Sequence, residues 1–196
     1  MREQLPWYDL ATNAVAHFGR HYIRAAASCT TSGLQRGTSA GCCRRPRPTS
    51  GSLHGHRGEP EMAERYDGPP ELVVADAVTF DYQPFDFTVC FLVLMFLPVD
   101  TRTAFLHRLE SLTKPGGALL IVDKVQMPPG YVGTAFSRLT LQQKLAVGAR
   151  PEDILRKELS LAGYQRPLDP GIMPERARTF FQVGEFVGWI LTAPER

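Results

Sequence analysis

The chain has little net charge, few cysteines and no long apolar run, and each shortage closes off a class of protein. A formal charge of +2 gives no overall attraction to nucleic acid. The basic cluster Arg44, Arg45 and Arg47 reads as a solvated loop. The four cysteines make no framework: Cys29, Cys42 and Cys43 lie in an irregular N-terminal stretch, and Cys90 sits inside an apolar run. Adjacent Cys42 and Cys43 lack zinc-knuckle spacing and no paired histidines follow, so no metal site is expected. His17, His21, His54 and His56 have no partner acid at useful spacing. The longest apolar run, residues 89–99, is too short to span a bilayer, and Pro6, Asp9 and Asn13 interrupt any signal-like segment. The expectation is a reduced, cytoplasmic protein with no membrane contact and no nucleic-acid partner.

What is present suits one domain over residues 1–196. A hydrophobic content of 43% supports a core, and 21% charged residues is ordinary for a globular chain. Residues 5–19 read as a turn and a short helix, with Asp9 as cap and Leu10, Ala14, Val15 and Phe18 on one face. Residues 20–66 are dominated by Gly, Ser, Thr, Arg, Pro and Cys, with no period of two or 3.6, and read as an irregular segment. So long a loop inside a compact domain is itself unusual.

From residue 71 the pattern becomes regular. Residues 71–76 (ELVVAD) read as a buried strand ending in an acid. Residues 87–94 (FTVCFLVL) read as a strand apolar on both faces, the mark of the middle of a parallel sheet. Asp100 caps an expected helix to Leu112, with Ala104, Phe105, Leu109 and Leu112 on one side. Lys114-Pro115-Gly116-Gly117 reads as a tight turn into the strand 118–122 (ALLIV). Further helices are expected from about Leu141 to Gly148 and from Pro151 to Leu161, and one or two strands close the chain at 180–191. Alternating strands and helices argue for an α/β domain with a mostly parallel sheet. In such sheets ligands bind beyond the carboxyl ends of the strands, so the informative residues are Asp76-Ala77, the segment 94–98 and Asp123-Lys124.

The ordered set VVADAVTF, FDFTVCFLVLMFLP and RTAFLHRLESLTKPGGALLIVDK over residues 73–124 resembles the second half of a class I S-adenosylmethionine-dependent methyltransferase. The resemblance implies a Rossmann-like fold with S-adenosyl-L-methionine as cofactor. It implies that Asp76 binds the adenine amino group, with Ala77 beside it. It also implies that the strand end at Phe91 and Leu94 borders the methionine part of the cofactor. Within the class, the chain is nearest to the carboxy-S-adenosylmethionine synthase-like methyltransferases. Pro6-Trp7-Tyr8 resembles their P-G-Y element, which implies that Tyr8 touches the cofactor, and LRKELSLAGYQ and FFQVGEFVGWIL resemble their last helix and strands. The arginine that the synthase uses for the extra carboxylate falls near Glu158, whose charge would repel a carboxylate. Plain S-adenosylmethionine is therefore expected.

Two features of the class are not readable between residues 20 and 66: a glycine-rich turn after the first strand, and a second strand ending in an acid. The segment has the composition of GC-rich DNA read out of frame. Residues 53–60 can be encoded so that a shift of one base reads T-G-I-E-V-S, and residues 28–33 so that a shift of two reads L-H-D-L-G. As written, the segment costs the expected fold two strands.

Each candidate has a plainer reading. Asp76 also suits capping of the following turn, Tyr8 suits a core aromatic, and Lys124 a solvated lysine or a contact to an acidic substrate. Glu185 in an apolar closing strand reads as edge-exposed, or else as close to the active site, and His107 reads as a surface residue. Residues 127–150 and 165–180 are expected to cover the substrate. No catalytic residue is named, because in-line methyl transfer draws much of its rate from positioning and needs a base only when the acceptor must lose a proton. The expected function is methyl transfer to a small-molecule acceptor. The alternatives are an inactive relative that acts as an interaction protein, and a nucleotide-dependent oxidoreductase, which the lack of a G-x-G-x-x-G disfavours.

Overall fold

The computed structural model describes residues 7–23, 29–32, 51–53 and 72–195, with side chains described over 7–23 and 75–195. Seven strands form one sheet: β1 (Cys29–Ser32), β2 (Gly51–Leu53), β3 (Leu72–Val74), β4 (Phe85–Phe91), β5 (Thr113–Lys124), β6 (Arg178–Val183) and β7 (Phe186–Thr192). Their order is β3-β2-β1-β4-β5-β7-β6. The first five are parallel, and β7 runs antiparallel to both β5 and β6. Among the described residues four α-helices accompany them: α1 (Trp7–Tyr22), α2 (Arg102–Leu112), α3 (Tyr131–Ala146) and α4 (Pro151–Ser160). The expected Rossmann-like α/β sheet is therefore the fold.

Strand alternation sorts the core into two layers. Phe87, Val89 and Phe91 of β4, with Ala118, Leu120 and Val122 of β5, pack with Trp7, Tyr8, Ala11 and Val15 of α1. Cys90 of β4 and Leu119 and Ile121 of β5 pack on the other face with Phe105, Leu106 and Leu109 of α2. Residues 118–123 of β5 are all buried, which explains the unbroken apolar run. Each such Leu, Ile or Phe contributes roughly 1.5–3 kcal/mol through burial.

Several local expectations are corrected. The stretch 20–66 does contain strands: β1 and β2 both pair in parallel within the sheet. CTTS and GSL have no apolar alternation, so backbone pairing and tertiary context, rather than side-chain pattern, define them. The frame-shifted words at 28–33 and 53–60 extend into residues outside the described ones. The first helix starts at Trp7, with Asp9 inside its first turn. It buries Trp7, Tyr8, Ala11, Thr12, Val15 and Gly19, while Leu10 is exposed. Asp100 lies in a short 3-10 turn, and Thr101 occupies the N-cap of α2 without a side-chain bond. On α2 Ala104 is exposed, and Leu106 joins the buried face instead. The third helix begins ten residues earlier than expected, at Tyr131 rather than Leu141.

Lys114-Pro115-Gly116-Gly117 is a bulge within β5 rather than a turn before it. Thr113 pairs with Phe85 and Ala118 with Phe87, so four residues loop out opposite Asp86. Gly116 has φ 73, and a Cβ on Gly117 would stand 2.6 Å from the Asp86 carbonyl oxygen. The Lys114 ammonium returns to the Asp86 carboxylate at 3.0 Å. No helix among the described residues is long and apolar enough to cross a membrane.

Candidate active site

The strand order reverses between β1 and β4, since β1 leads outward to β2 on one side and its other neighbour is β4. A crevice forms at the carboxyl ends around such a point. The exit of β4 is therefore the natural floor of a site. The strand stops at Phe91, earlier than the expected Leu94. Leu92 follows with φ 55, a left-handed conformation that costs a non-glycine residue on the order of 1 kcal/mol. The chain then turns through a 3-10 segment at Leu94–Phe96.

The candidates fall into two groups. Tyr8 is buried and meets Phe91 edge-on, ring centroids 5.3 Å apart, so these two come together on the α1 face. Ala77 and Leu94 are buried on the opposite face, in the layer shared with α2. Asp76 follows β3 and is exposed. Its Oδ1 accepts the N–H of Val78 at 2.9 Å and of Thr79 at 3.1 Å, so it does cap the next turn. His107 is exposed, as expected. No metal-binding group of His, Cys, Asp or Glu occurs among the described residues.

A buried pair, of which the sequence marks only Asp123 and that as a strand-end residue, braces the β4 exit. Asp123, near the end of β5, is fully buried. Its Oδ2 accepts the Leu94 N–H at 2.8 Å and its Oδ1 the Lys124 N–H at 2.8 Å, and the nearby Met95 N–H also favours its charged form. Burial pushes its carboxyl up to about 7, against these backbone bonds and the nearby Arg102 charge. Arg102, itself buried at the start of α2, donates Nε to the Leu97 carbonyl at 3.1 Å. Its Nη2 reaches Met95 O at 3.3 Å and Arg166 O at 2.9 Å, and its Nη1 reaches Pro167 O at 3.4 Å. Burial lowers the guanidinium from its usual range, and Asp123 opposes that shift.

Residues 166–168 form a strap beside this brace. Arg166 N–H donates to Met95 O at 2.8 Å, and Leu168 exchanges bonds with Lys124 and Gln126. The second part of the expected cover therefore does meet the carboxyl edge. The first part contains α3, of which only Thr140 is buried, while Tyr131, Val132, Leu139, Leu141 and Leu145 are exposed.

Glu185 is not at an exposed edge. It sits buried in the β6–β7 turn beside Lys124, whose Nζ lies 3.4 Å from its Oε2. Ser137 and Thr140 of α3 donate to the same carboxylate at 3.1 and 3.3 Å. Lys124 is thus ion-paired rather than simply solvated. A second pair joins Lys144 of α3 to Glu158 of α4 at 2.7 Å. Burial raises the Glu158 carboxyl, but Lys144, then Lys124 and Lys157, outweigh it and hold it below the usual range. A sequence pattern could not announce this cluster, because its members lie far apart in the chain.

No protein-family model matches the chain. Over 99 residues it is 28% identical to the carboxy-S-adenosyl-L-methionine synthase of Pseudomonas aeruginosa, a match covering 50% of the chain and 40% of that protein. The chain therefore matches well under half the length of this relative. The synthase of Shewanella frigidimarina is 23% identical over 177 residues, 85% of the chain and 73% of that protein. Among solved structures, N-methyltransferase NodS from Bradyrhizobium japonicum superposes with a TM-score of 0.58 at 14% identity, covering 97% of this chain and 98% of that one. The chain has the class I methyltransferase fold. A magnesium protoporphyrin IX methyltransferase from Synechocystis, solved with bound S-adenosylhomocysteine (SAH), gives a TM-score of 0.59 at 13% identity over 96% of this chain and 84% of that one.

Proposed function

We propose that the chain transfers a methyl group from S-adenosyl-L-methionine to a small-molecule acceptor. The observation that carries this reading is the sheet order, with its switch point between β1 and β4 and its reversed β7. The cofactor, when bound, supplies a methyl group made electrophilic by its sulfonium.

The residues at the carboxyl edge fit such a ligand. Asp76 is exposed with Oδ1 engaged by the turn, and its second carboxylate oxygen is a good acceptor for an exocyclic amine. Ala77 lies directly beside it in the chain. Tyr8 and Phe91 on the α1 face and Leu94 on the α2 face make the surroundings of the β4 exit apolar, which suits exclusion of water from the methionine end. Glu158 carries a carboxylate held ionised by Lys144, which supports a cofactor without an extra carboxylate of its own. Charge of both signs along the C-terminal half supports a small-molecule acceptor over a nucleic acid.

Calorimetric titration with S-adenosylmethionine and SAH tests the reading, and micromolar binding is expected. Asp76→Ala should weaken SAH several-fold, in line with the loss of one hydrogen bond to a charged acceptor. Undiminished affinity in that variant would remove Asp76 from the site, and absence of binding by the folded wild type would remove the function.

A further inference from the structure

The β4 exit combines three features that ordinary strand ends lack. A non-glycine residue, Leu92, stands at φ 55. Two consecutive backbone N–H groups after it, those of Leu94 and Met95, point at one buried carboxylate. The carbonyls of Met95 and Leu97 in the same short segment are gripped by one buried guanidinium. Donors and acceptors of segment 92–97 are thus held from inside the protein, by Asp123 and Arg102 respectively. Arg102 also holds the 166–168 strap through the Arg166 and Pro167 carbonyls, so one side chain sets the spacing between strap and strand exit.

We propose that Asp123 is a positioning residue of the methyl-transfer site: its buried carboxylate, backed by Arg102, holds segment 92–97 in the form that frames the cofactor. The proposal rests on the functional reading above. A carboxylate suits the task because it is acceptor-only, with two oxygens to meet converging N–H groups. Protonation turns one oxygen into a donor and weakens the hold on the segment. The charged group that faces Asp123 is Arg102 from α2, with Arg166 beyond it in the strap. From the sheet, β7 offers apolar Val187 as its pairing partner, and Cys90 of β4 lies in the same core layer. The 3-10 turn Leu94–Phe96 has no ionisable side chain. Burial places the carboxyl near neutrality, so the frame is firm above about pH 7 and loosens below it.

The experiment is a calorimetric titration of SAH into the wild type and Asp123→Asn between about pH 6 and about pH 8, with amide hydrogen exchange across segment 92–97. Wild-type affinity should rise several-fold with pH, together with protection of the Leu94 and Met95 amides. Asp123→Asn should bind several-fold more weakly at the upper pH, with a flat profile and faster exchange. Arg102→Lys keeps the charge but loses the fork of carbonyl contacts, so it should weaken binding while retaining the pH slope. Equal affinity and equal slope in wild type and Asp123→Asn would overturn the proposal. If the wild type binds no SAH, the functional reading fails, and the exchange data still judge the brace. If Asp123→Asn does not fold, wild-type Leu94 protection that ignores pH overturns it.

Discussion

Asp123 should make the stability of this protein fall as pH rises through the weakly acidic range, which is opposite to most paired carboxylates. Its folded carboxyl is pushed up to about 7 by burial, whereas an unfolded chain holds an aspartate near 4. Below about pH 4 both states are protonated and the fold keeps its full stability. Between about pH 4 and about pH 7 the unfolded state gives up a proton that the folded state retains, and stability declines. Above about pH 7 both are ionised and the decline stops. A rise of about three units, at about 1.4 kcal/mol each, sets the total at about 4 kcal/mol. Urea unfolding of wild type and Asp123→Asn across this range isolates the effect, because every other titrating group is common to both. The difference in unfolding free energy between the two should shrink by a few kcal/mol from acid to neutral pH. Parallel curves, or a difference of the opposite sign, would refute the burial argument. The same ionisation that costs the fold is the one that tightens the β4 exit.

Two further changes probe the surroundings of the site. Gly117→Ala puts a Cβ against two backbone carbonyls, Asp86 O at 2.6 Å and Lys114 O at 2.9 Å, neither of which can swing aside. A loss of about 1–3 kcal/mol in denaturant unfolding is expected, and wild-type stability would show that the bulge can shift. Glu185→Gln leaves Lys124 partly buried without its counter-charge and weakens the anchor of α3 at Ser137 and Thr140. The cost should be about 1–3 kcal/mol, with faster amide exchange in α3 and partial recovery on adding Lys124→Met. No recovery in the double variant would mean that the two side chains are not coupled.

How much was legible depended on whether burial left a mark on residue type. Residues 87–91 of β4 and 118–122 of β5 were readable because both faces are covered, so every position but Thr88 is apolar. The central strand β1 was not, since CTTS takes its place through backbone pairing with β4 and carries no apolar period. Leu94 was placed in a strand because an apolar run looks the same through a strand and through the buried 3-10 turn that follows. Asp123 had been marked only as a strand-end residue. Nothing local distinguishes an exposed acid at a strand end from one folded back onto the N–H groups of residues 94 and 95. Arg102 carries no mark in the sequence either. Its acceptors are carbonyls at residues 95, 97, 166 and 167, and carbonyls have no sequence signature.

The site draws on two sources that can vary separately. The brace at the β4 exit uses Asp123, Arg102, the backbone of residues 92–97 and the strap 166–168, and Tyr8 joins it from α1 through Phe91. On the proposed reading the cofactor lies at the ends of β1 and β2, while Lys124, Glu185 and α3 form a separate linked cluster. A substitution near β1 or β2 should therefore act on cofactor affinity and leave the Leu94 amide protected. One in the Lys124–Glu185 cluster should act on α3 and leave the cofactor's apolar wall in place. On the proposed reading, acceptor choice falls to α3, α4 and the strap; Tyr131 and Val132 are exposed in the first turn of α3, whose buried contact is made through Thr140.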